Sequence, residues 1–173
     1  MNTIQLASIL RKDKFTQTVF QGVYPSDKLP TGVASFPALL IANVDTSDEP
    51  GSHWVAFYFT KERKGEFFDS YGLPPSSYSG TFSSFLNNNS NDWSFNSVTL
   101  QSINSKVCGH YCLYYALFRC RNITMSTIVH RFSKNKQGND FLVRRFIEKH
   151  FPLSLKEHTH VKTQGVKAQH QVH

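Results

Sequence analysis

Four side chains in this sequence have the types that thiol-dependent amide hydrolysis requires. Such a reaction needs a thiolate, a base that accepts and returns a proton, a group that fixes the base, and donors for the developing oxyanion. Cys108, His53, Asp69 and Gln101 supply one candidate for each role, in that order. We therefore predict Cys108 as a nucleophile with His53 as its base.

Cys108 stands at the start of a predicted helix. Nearly every residue over 109–119 is apolar or aromatic, which indicates a helix that is buried on most sides. A helix N-terminus lowers the pKa of a thiol and presents N–H groups to a substrate. Gly109 would let the substrate backbone approach the nucleophile. We interpret Cys112 and Cys120 as structural thiols, because free cysteine is commonly buried.

Two neighbouring strands are expected to bring His53 and Asp69 within hydrogen-bonding reach. Residues 53–60 and 66–71 have strand character, and the charged segment 61–65 between them suits a hairpin. Both faces of the first strand are apolar, which predicts a central strand covered on both sides. Asp69 lies near the end of the second strand, where it could orient the imidazole.

The other predicted elements frame this hairpin. They are a helix over 3–11 capped by Thr3, loops broken by Gly22, Pro25, Pro30 and Gly32, a buried strand over 36–44, a helical turn over 81–86, a strand over 95–100, and helices over 124–133 and 139–150, the last capped by Asn139. Strands and helices in this mixture predict an α+β fold.

Three blocks of the sequence resemble the active-site blocks of the adenovirus protease (adenain) family. They are Gly-Ser-His-Trp-Val-Ala-Phe at 51–57, Phe-Phe-Asp-Ser-Tyr-Gly at 67–72, and Gln-Ser-Ile-Asn-Ser-Lys-Val-Cys-Gly-His-Tyr-Cys at 101–112. The chain order His, acid, Gln, Cys also matches, and the segment 20–24 resembles the stretch ahead of that family's first strand. The similarity covers roughly residues 1–150.

This resemblance implies a fold and an activity. The fold would be a papain-like cysteine protease arrangement of the adenain and ubiquitin-like-protease type, with a central helix carrying Cys108 packed on a mixed, mainly antiparallel sheet. The activity would be endopeptidase cleavage of viral or virus-like precursor proteins at small-residue sites that contain glycine. Trp54 and Gly109 would bind substrate, and nucleic acid would act as an activator.

Two departures from the family matter. The acid is Asp69 where the adenoviral enzymes usually carry glutamate, which shortens the side chain by one methylene and retains the function. No cysteine stands just upstream of Gln101 to form a disulfide with an activating viral peptide, so we do not expect that mode of activation. The chain could come from a related virus or from a virus-like mobile element.

Three alternatives remain open at this stage. A protease for ubiquitin-like modifiers shares the same residue types, but its glutamine usually stands one residue closer to the cysteine than Gln101 stands to Cys108. A non-enzymatic basic module that binds nucleic acid or a capsid would leave the four chemical residues unexplained. A zinc site at Cys108, His110 and Cys112 lacks a fourth ligand, and His110 would point away on a helix. We therefore predict no metal site and no required cofactor.

Composition sets the remaining expectations. The 173 residues fit one protease domain over 1–152, followed by a polar and flexible tail over 153–173. The formal charge of +7 would attract DNA. Three cysteines and no recognisable secretory signal fit a reducing, intracellular setting, such as a host nucleus or a virion. The apolar runs are too short to span a membrane, so we expect polypeptide substrates and no membrane partner.

Overall fold

The protein is described here by a computed structural model that covers residues 1–152 and Ser154. The helices are α1 (Thr3–Lys12), α2 (Gly80–Asn89), α3 (Cys108–Arg119), α4 (Met125–Val129) and α5 (Lys136–His150). The strands are β1 (Phe20–Tyr24), β2 (Ala38–Asn43), β3 (Trp54–Phe59), β4 (Lys64–Phe68) and β5 (Asp92–Phe95). Apart from Ser154, the predicted tail lies outside the described residues. No helix within the described part of the chain is long and apolar enough to cross a membrane.

The five strands form one mixed sheet in the order β1-β2-β3-β4-β5. The central pairs β2–β3 and β3–β4 are antiparallel, whereas the outer pairs β1–β2 and β4–β5 are parallel. The predicted hairpin between β3 and β4 is confirmed. The α+β class is confirmed as well, with the helix that begins at Cys108 packed against the sheet.

The central strand β3 is buried on both faces, as its sequence predicts. Ala56 and Tyr58 belong to the core on the α3 side of the sheet, while Phe57 and Phe59 belong to the core on the α2 side. Side chains alternate between the two faces of a strand, so one apolar run supplies both cores. This double burial fixes the register of β3 and therefore the position of His53 next to it.

Helix α3 is attached to the sheet by a polar cluster at its C-terminal half. Tyr115 stacks on Phe68 with ring centroids 4.5 Å apart, and its hydroxyl donates to the Glu66 carboxylate at 2.6 Å. Arg119 binds the same carboxylate through Nε at 2.8 Å and Nη2 at 3.1 Å. A two-pronged arginine–carboxylate pair is geometrically specific, so it holds the helix in one orientation on the sheet.

The edges of the sheet differ from the prediction. Residues 20–24 were expected to be a loop, yet they form β1 and pair in parallel with β2. Glycine and proline in this region do not prevent a strand here, because the edge of β2 offers a partner and Phe20 and Val23 pack against the core.

The predicted strand over 95–100 is also wrong in its bounds, since β5 ends at Phe95. The next residue, Asn96, uses its side chain to bind the backbone of Asp69. The amide nitrogen of Asp69 donates to Asn96 Oδ1 at 2.8 Å, and Asn96 Nδ2 donates to the Asp69 carbonyl at 2.7 Å. A side chain therefore replaces the backbone ladder at the point where the strand was expected to continue.

Three predicted helix starts are corrected by the capping contacts. Asn2 rather than Thr3 caps α1, because Asn2 Oδ1 accepts from the Gln5 amide at 2.9 Å. Asn135 caps α5 and starts it at Lys136, while Asn139 is buried inside the helix. Ser79 caps α2, which is longer than predicted, and α4 is shorter than the predicted 124–133.

Candidate active site

A cavity of about 590 Å³ opens at the N-terminus of α3. Cys108 is the first residue of this helix and is 8% exposed. The first N–H groups of a helix have no acceptor within it, so the end that carries Cys108 can donate to an anion. The cavity is lined by Met1, Gly51, Ser52, His53, Trp54, Tyr71, Ser105, Lys106, Cys108 and Gly109.

The hairpin places His53 against Asp69. Ala56 pairs with Phe68, so His53 and Asp69 leave the same end of the two antiparallel strands. The imidazole Nε2 lies 2.6 Å from Asp69 Oδ1. With Nε2 occupied, the other ring nitrogen remains for the hydrogen bond between His53 and the thiol of Cys108. The three side chains therefore form the series that the sequence predicts.

The Asp69 carboxylate is fully buried and held by several donors. Besides His53, Oδ1 accepts from the Tyr71 amide at 3.1 Å, and Oδ2 accepts from the Leu73 amide at 2.9 Å and the Tyr78 hydroxyl at 3.0 Å. A buried carboxylate needs such partners, because an unpaired buried charge is strongly unfavourable. These contacts leave Asp69 one orientation, which in turn fixes the imidazole.

The proton equilibria of Cys108 and His53 favour an ion pair. Burial lowers the pKa of His53, but the hydrogen bonds to Asp69 and Cys108 outweigh burial and raise it to about 9. Burial raises the pKa of the Cys108 thiol, but the hydrogen bond and charge of His53, with the backbone N–H groups of Trp54 and Gly109, bring it below its ordinary value. A thiolate beside an imidazolium is the reactive form of a cysteine nucleophile.

Two tyrosines that the sequence analysis did not select pack against the imidazole. The ring of Tyr71 stacks on His53 at a centroid distance of 4.8 Å, and that of Tyr78 lies 5.9 Å away at the same interplanar angle of 29°. Tyr71 stands in the 67–72 block beside Asp69 and could have been noticed there. Tyr78 lies in a loop with no recognisable pattern, so no signal in the sequence points to it.

Gln101 is near this group but not on the exposed wall of the cavity. It is 1% exposed, and its Nε2 donates to the Ser105 carbonyl at 2.8 Å and to the Tyr71 hydroxyl at 3.3 Å. Its Oε1 accepts from the Ser70 hydroxyl at 2.7 Å. The structure thus brings His53, Asp69 and Cys108 together and places Gln101 one layer behind Tyr71 and Ser105.

The two predicted substrate-binding residues line the cavity together with Cys108 and lie close to each other. A Cβ atom added at Gly109 would lie 3.2 Å from Met1 Cβ and 3.3 Å from Trp54 Cδ1. The indole Nε1 of Trp54 donates to the Met1 carbonyl at 3.2 Å, which holds the indole against Met1. The absence of a side chain at Gly109 therefore lets Met1 and Trp54 pack closely against the start of α3.

The other cysteines have no such activating surroundings. Complete burial raises the pKa of Cys112 well above its usual value, and burial raises that of Cys120 to about 12. His110, from the zinc hypothesis, is half-buried, and burial lowers its pKa to about 4. Within residues 1–152 and Ser154, no three histidine, cysteine or acidic side chains are grouped to hold a metal.

Comparisons with known proteins give distant similarity to solved structures alone. A scan against protein-family models found no match, and a search of curated proteins found none either. Among solved structures, the chain is similar to the crystal structure of the ASFV pS273R protease, with 19% identity and a TM-score of 0.45. The alignment covers 61% of this chain and 43% of that one, so the chain spans less than half of that protease.

Proposed function

We propose that this protein is a cysteine endopeptidase that cleaves polypeptides through an acyl-enzyme at Cys108. The observation that carries the proposal is the hydrogen-bonded series of Cys108, His53 and the buried Asp69, in which Cys108 and His53 line a cavity at a helix N-terminus. Such an alignment is defined by geometry and roles rather than by chain order.

The reaction follows from the ion pair. The Cys108 thiolate attacks the scissile carbonyl carbon, a C–S bond forms, and the carbonyl electron pair moves to the oxygen. The backbone N–H of Cys108 stabilises that oxyanion. The His53 imidazolium then gives its proton to the leaving nitrogen as the C–N bond breaks. Water attacks the thioester, passes a proton to His53, and restores the thiolate as the C–S bond breaks.

The close packing of Met1 and Trp54 over Gly109, at the wall of the cavity, supports a preference for small residues next to the scissile bond. Met1 and Trp54 already lie within 3.3 Å of the place where a side chain at Gly109 would begin. A bulky substrate residue would have to displace the indole, whereas glycine could pass. We propose glycine-containing sites in precursor proteins of a virus or virus-like element as substrates, the source being suggested by the sequence resemblance alone.

We also propose that DNA raises the activity without being required for it. The described part of α5 and the segment before it carry six exposed cations, which are Arg131, Lys134, Lys136, Arg144, Arg145 and Lys149. Clustered cations bind the phosphate backbone in a sequence-independent, salt-dependent manner.

Cleavage assays test the endopeptidase proposal. Wild type, Cys108→Ala and the control Cys120→Ala are incubated with glycine-containing peptides and with fusions of ubiquitin-like modifiers. Peptide cleavage that is lost in Cys108→Ala and kept in Cys120→Ala is the expected result. Cleavage of modifier fusions alone would favour a modifier protease, and cleavage by none of the proteins, with or without DNA, would contradict the proposal.

A further inference from the structure

The position of Gln101 leaves open which side chain donates directly to the oxyanion. A glutamine amide has two N–H groups, and both are directed at protein atoms here, the Ser105 carbonyl and the Tyr71 hydroxyl. Tyr71 and Ser105 line the cavity, whereas Gln101 is 1% exposed. Gln101 therefore meets the cavity through Tyr71.

The orientation of the Gln101 amide is fixed from behind by Ser70. Ser70 is fully buried, and its hydroxyl donates to Gln101 Oε1 at 2.7 Å. The Ser70 carbonyl also accepts from the backbone N–H groups of Leu100 at 2.9 Å and Gln101 at 3.1 Å. Because the oxygen end of the amide is occupied, its nitrogen end faces Tyr71. The hydrogen bonds thus run in one direction, from Ser70 to Gln101 to Tyr71.

The Tyr71 hydroxyl is the last group in this series, and the hydrogen bond that it donates is weak. Among the described residues, the acceptor that it meets is the Ile103 carbonyl at 3.5 Å, well beyond the usual O–H···O distance of about 2.5 to 3.0 Å. A hydroxyl whose oxygen accepts a hydrogen bond becomes a stronger donor, since neighbouring hydrogen bonds polarise one another. The phenol can therefore donate to a new acceptor in the cavity.

The Tyr71 ring is also held beside the reacting groups. It stacks on His53, which is itself bonded to Cys108, and all three side chains line the same cavity. Tyr71 is anchored on its backbone side as well, because its amide donates to Asp69 and its carbonyl accepts from the Thr99 hydroxyl at 2.9 Å.

We propose that Tyr71 is the side chain that donates directly to the oxyanion, beside the backbone N–H of Cys108, and that Ser70 and Gln101 are positioning residues behind it. The inference rests on the proposed peptidase function. As the C–S bond forms and negative charge develops on the carbonyl oxygen, the phenol hydrogen bonds to that oxygen. Tyr71 keeps its proton throughout, and the electron pair on the oxygen re-forms the C=O bond as the C–N bond breaks and the leaving nitrogen takes the proton of His53.

Kinetics of Tyr71→Phe, Gln101→Ala and the double variant test the assignment. Loss of an oxyanion donor typically lowers kcat by about 100-fold or more, so Tyr71→Phe should lower kcat to this extent with KM little changed. Adding Gln101→Ala to the Tyr71→Phe variant should then lower kcat only slightly further. An unchanged kcat in Tyr71→Phe, with the full loss confined to variants of Gln101, would mean that Gln101 donates directly and would overturn the proposal.

A second measurement separates oxyanion donation from support of His53. Phenylalanine keeps the ring on the imidazole, so the pH dependence of Cys108 alkylation by iodoacetamide should be the same in Tyr71→Phe as in wild type. A shifted alkylation profile would assign the lost activity to a disturbed ion pair and overturn the proposal.

A third measurement needs no activity, which keeps this inference distinct from the proposed function. The Gln101 side-chain amide signals in ¹⁵N NMR spectra, assigned by their loss in Gln101→Glu, should shift in both Tyr71→Phe and Ser70→Ala. If wild type cleaves no substrate, the peptidase proposal fails by itself. Unchanged signals would overturn the hydrogen-bond series, and shifted signals would support it.

Discussion

Among the single residues of the site, His53 has the proton equilibrium that sets the alkaline limit of activity. Burial acts to lower its pKa, but Asp69 and Cys108 raise it to about 9. His53 is therefore present as the imidazolium near neutral pH, and its charge and hydrogen bond lower the pKa of the Cys108 thiol. Activity should fall as the pH rises through about 9, because His53 then lacks the proton for the leaving group, and should fall in acid as the thiolate is protonated.

Replacement of Asp69 by asparagine tests the origin of this limit. An opposite charge at hydrogen-bonding distance shifts a pKa by about 1 to 3 units, so the pKa of His53 should fall by that amount in Asp69→Asn. The alkaline limb of the pH profile of kcat/KM should therefore shift to lower pH by the same amount. The exposed Asp48→Asn is the control and should leave the limb in place. An unmoved limb in Asp69→Asn would contradict the role given to Asp69.

For single residues, the sequence predicts a role where the residue type and its immediate neighbours in the chain are distinctive. His53, Asp69 and Cys108 stand in short blocks whose chemistry can be recognised, and the structure brings their side chains together. The contact of Tyr78 with Asp69 could not be predicted, because it joins a loop to a strand end nine residues away without any periodic pattern. The depth at which Gln101 lies depends on packing, which residue types alone do not reveal.

Among the elements, the turn after β4 controls the site most directly. Asp69, Ser70 and Tyr71 form it, and the Gly72 amide closes it on the Asp69 carbonyl at 2.9 Å. Gly72 has a φ of 72°, and an added Cβ would lie 2.6 Å from the backbone carbon of Val98. Only glycine fits this position without strain.

Gly72→Ala should therefore destabilise both the fold and the site. Strain at positive φ together with overpacking should lower the free energy of unfolding by about 2 to 4 kcal/mol. Gly80→Ala is the matched control, because a Cβ there meets no atom within 4 Å and the residue begins α2. Urea denaturation measures both variants. A Gly72→Ala protein as stable as Gly80→Ala would contradict the account of this turn.

The elements differ in how well the sequence defines them. Strand β3 and helix α3 are long, apolar and buried, so periodicity predicts them within a residue or two. Strands β1 and β5 are edge strands whose existence or bounds depend on a partner, the edge of β2 in one case and the Asn96 contact with Asp69 in the other. Non-local pairing of this kind leaves no local pattern.

For the whole molecule, the net charge of +7 predicts a response to DNA. Duplex DNA should raise peptide cleavage at low salt, and the effect should fade as salt is added. The slope of log affinity against log salt should fall by up to about 1.8 in the Arg144→Glu, Arg145→Glu variant, at about 0.9 per lost phosphate contact. Lys61→Glu, in the exposed hairpin, is the single-charge control. No change in rate with DNA at low salt would contradict this prediction.

The general architecture follows from composition and patterning, whereas the direction of the individual hydrogen bonds does not. One apolar strand covered on both faces, and one buried helix that begins at a cysteine, suffice to predict an α+β molecule with its chemistry at the helix start. The order of the sheet places β3 at its centre, between the antiparallel strands β2 and β4. These two neighbours fix the start of β3 and therefore the position of His53, which immediately precedes it.

The central claim is that Cys108 is a nucleophile activated by His53, and the attachment site of a substrate-like electrophile tests it most directly. Protein at pH 7 is treated with a peptide vinyl sulfone that ends in glycine, and the modified residue is located by mass spectrometry. We predict a single adduct on Cys108, none on the more exposed Cys120, and a much slower reaction in His53→Ala. An adduct on Cys120 alone, or an unchanged rate in His53→Ala, would contradict the claim.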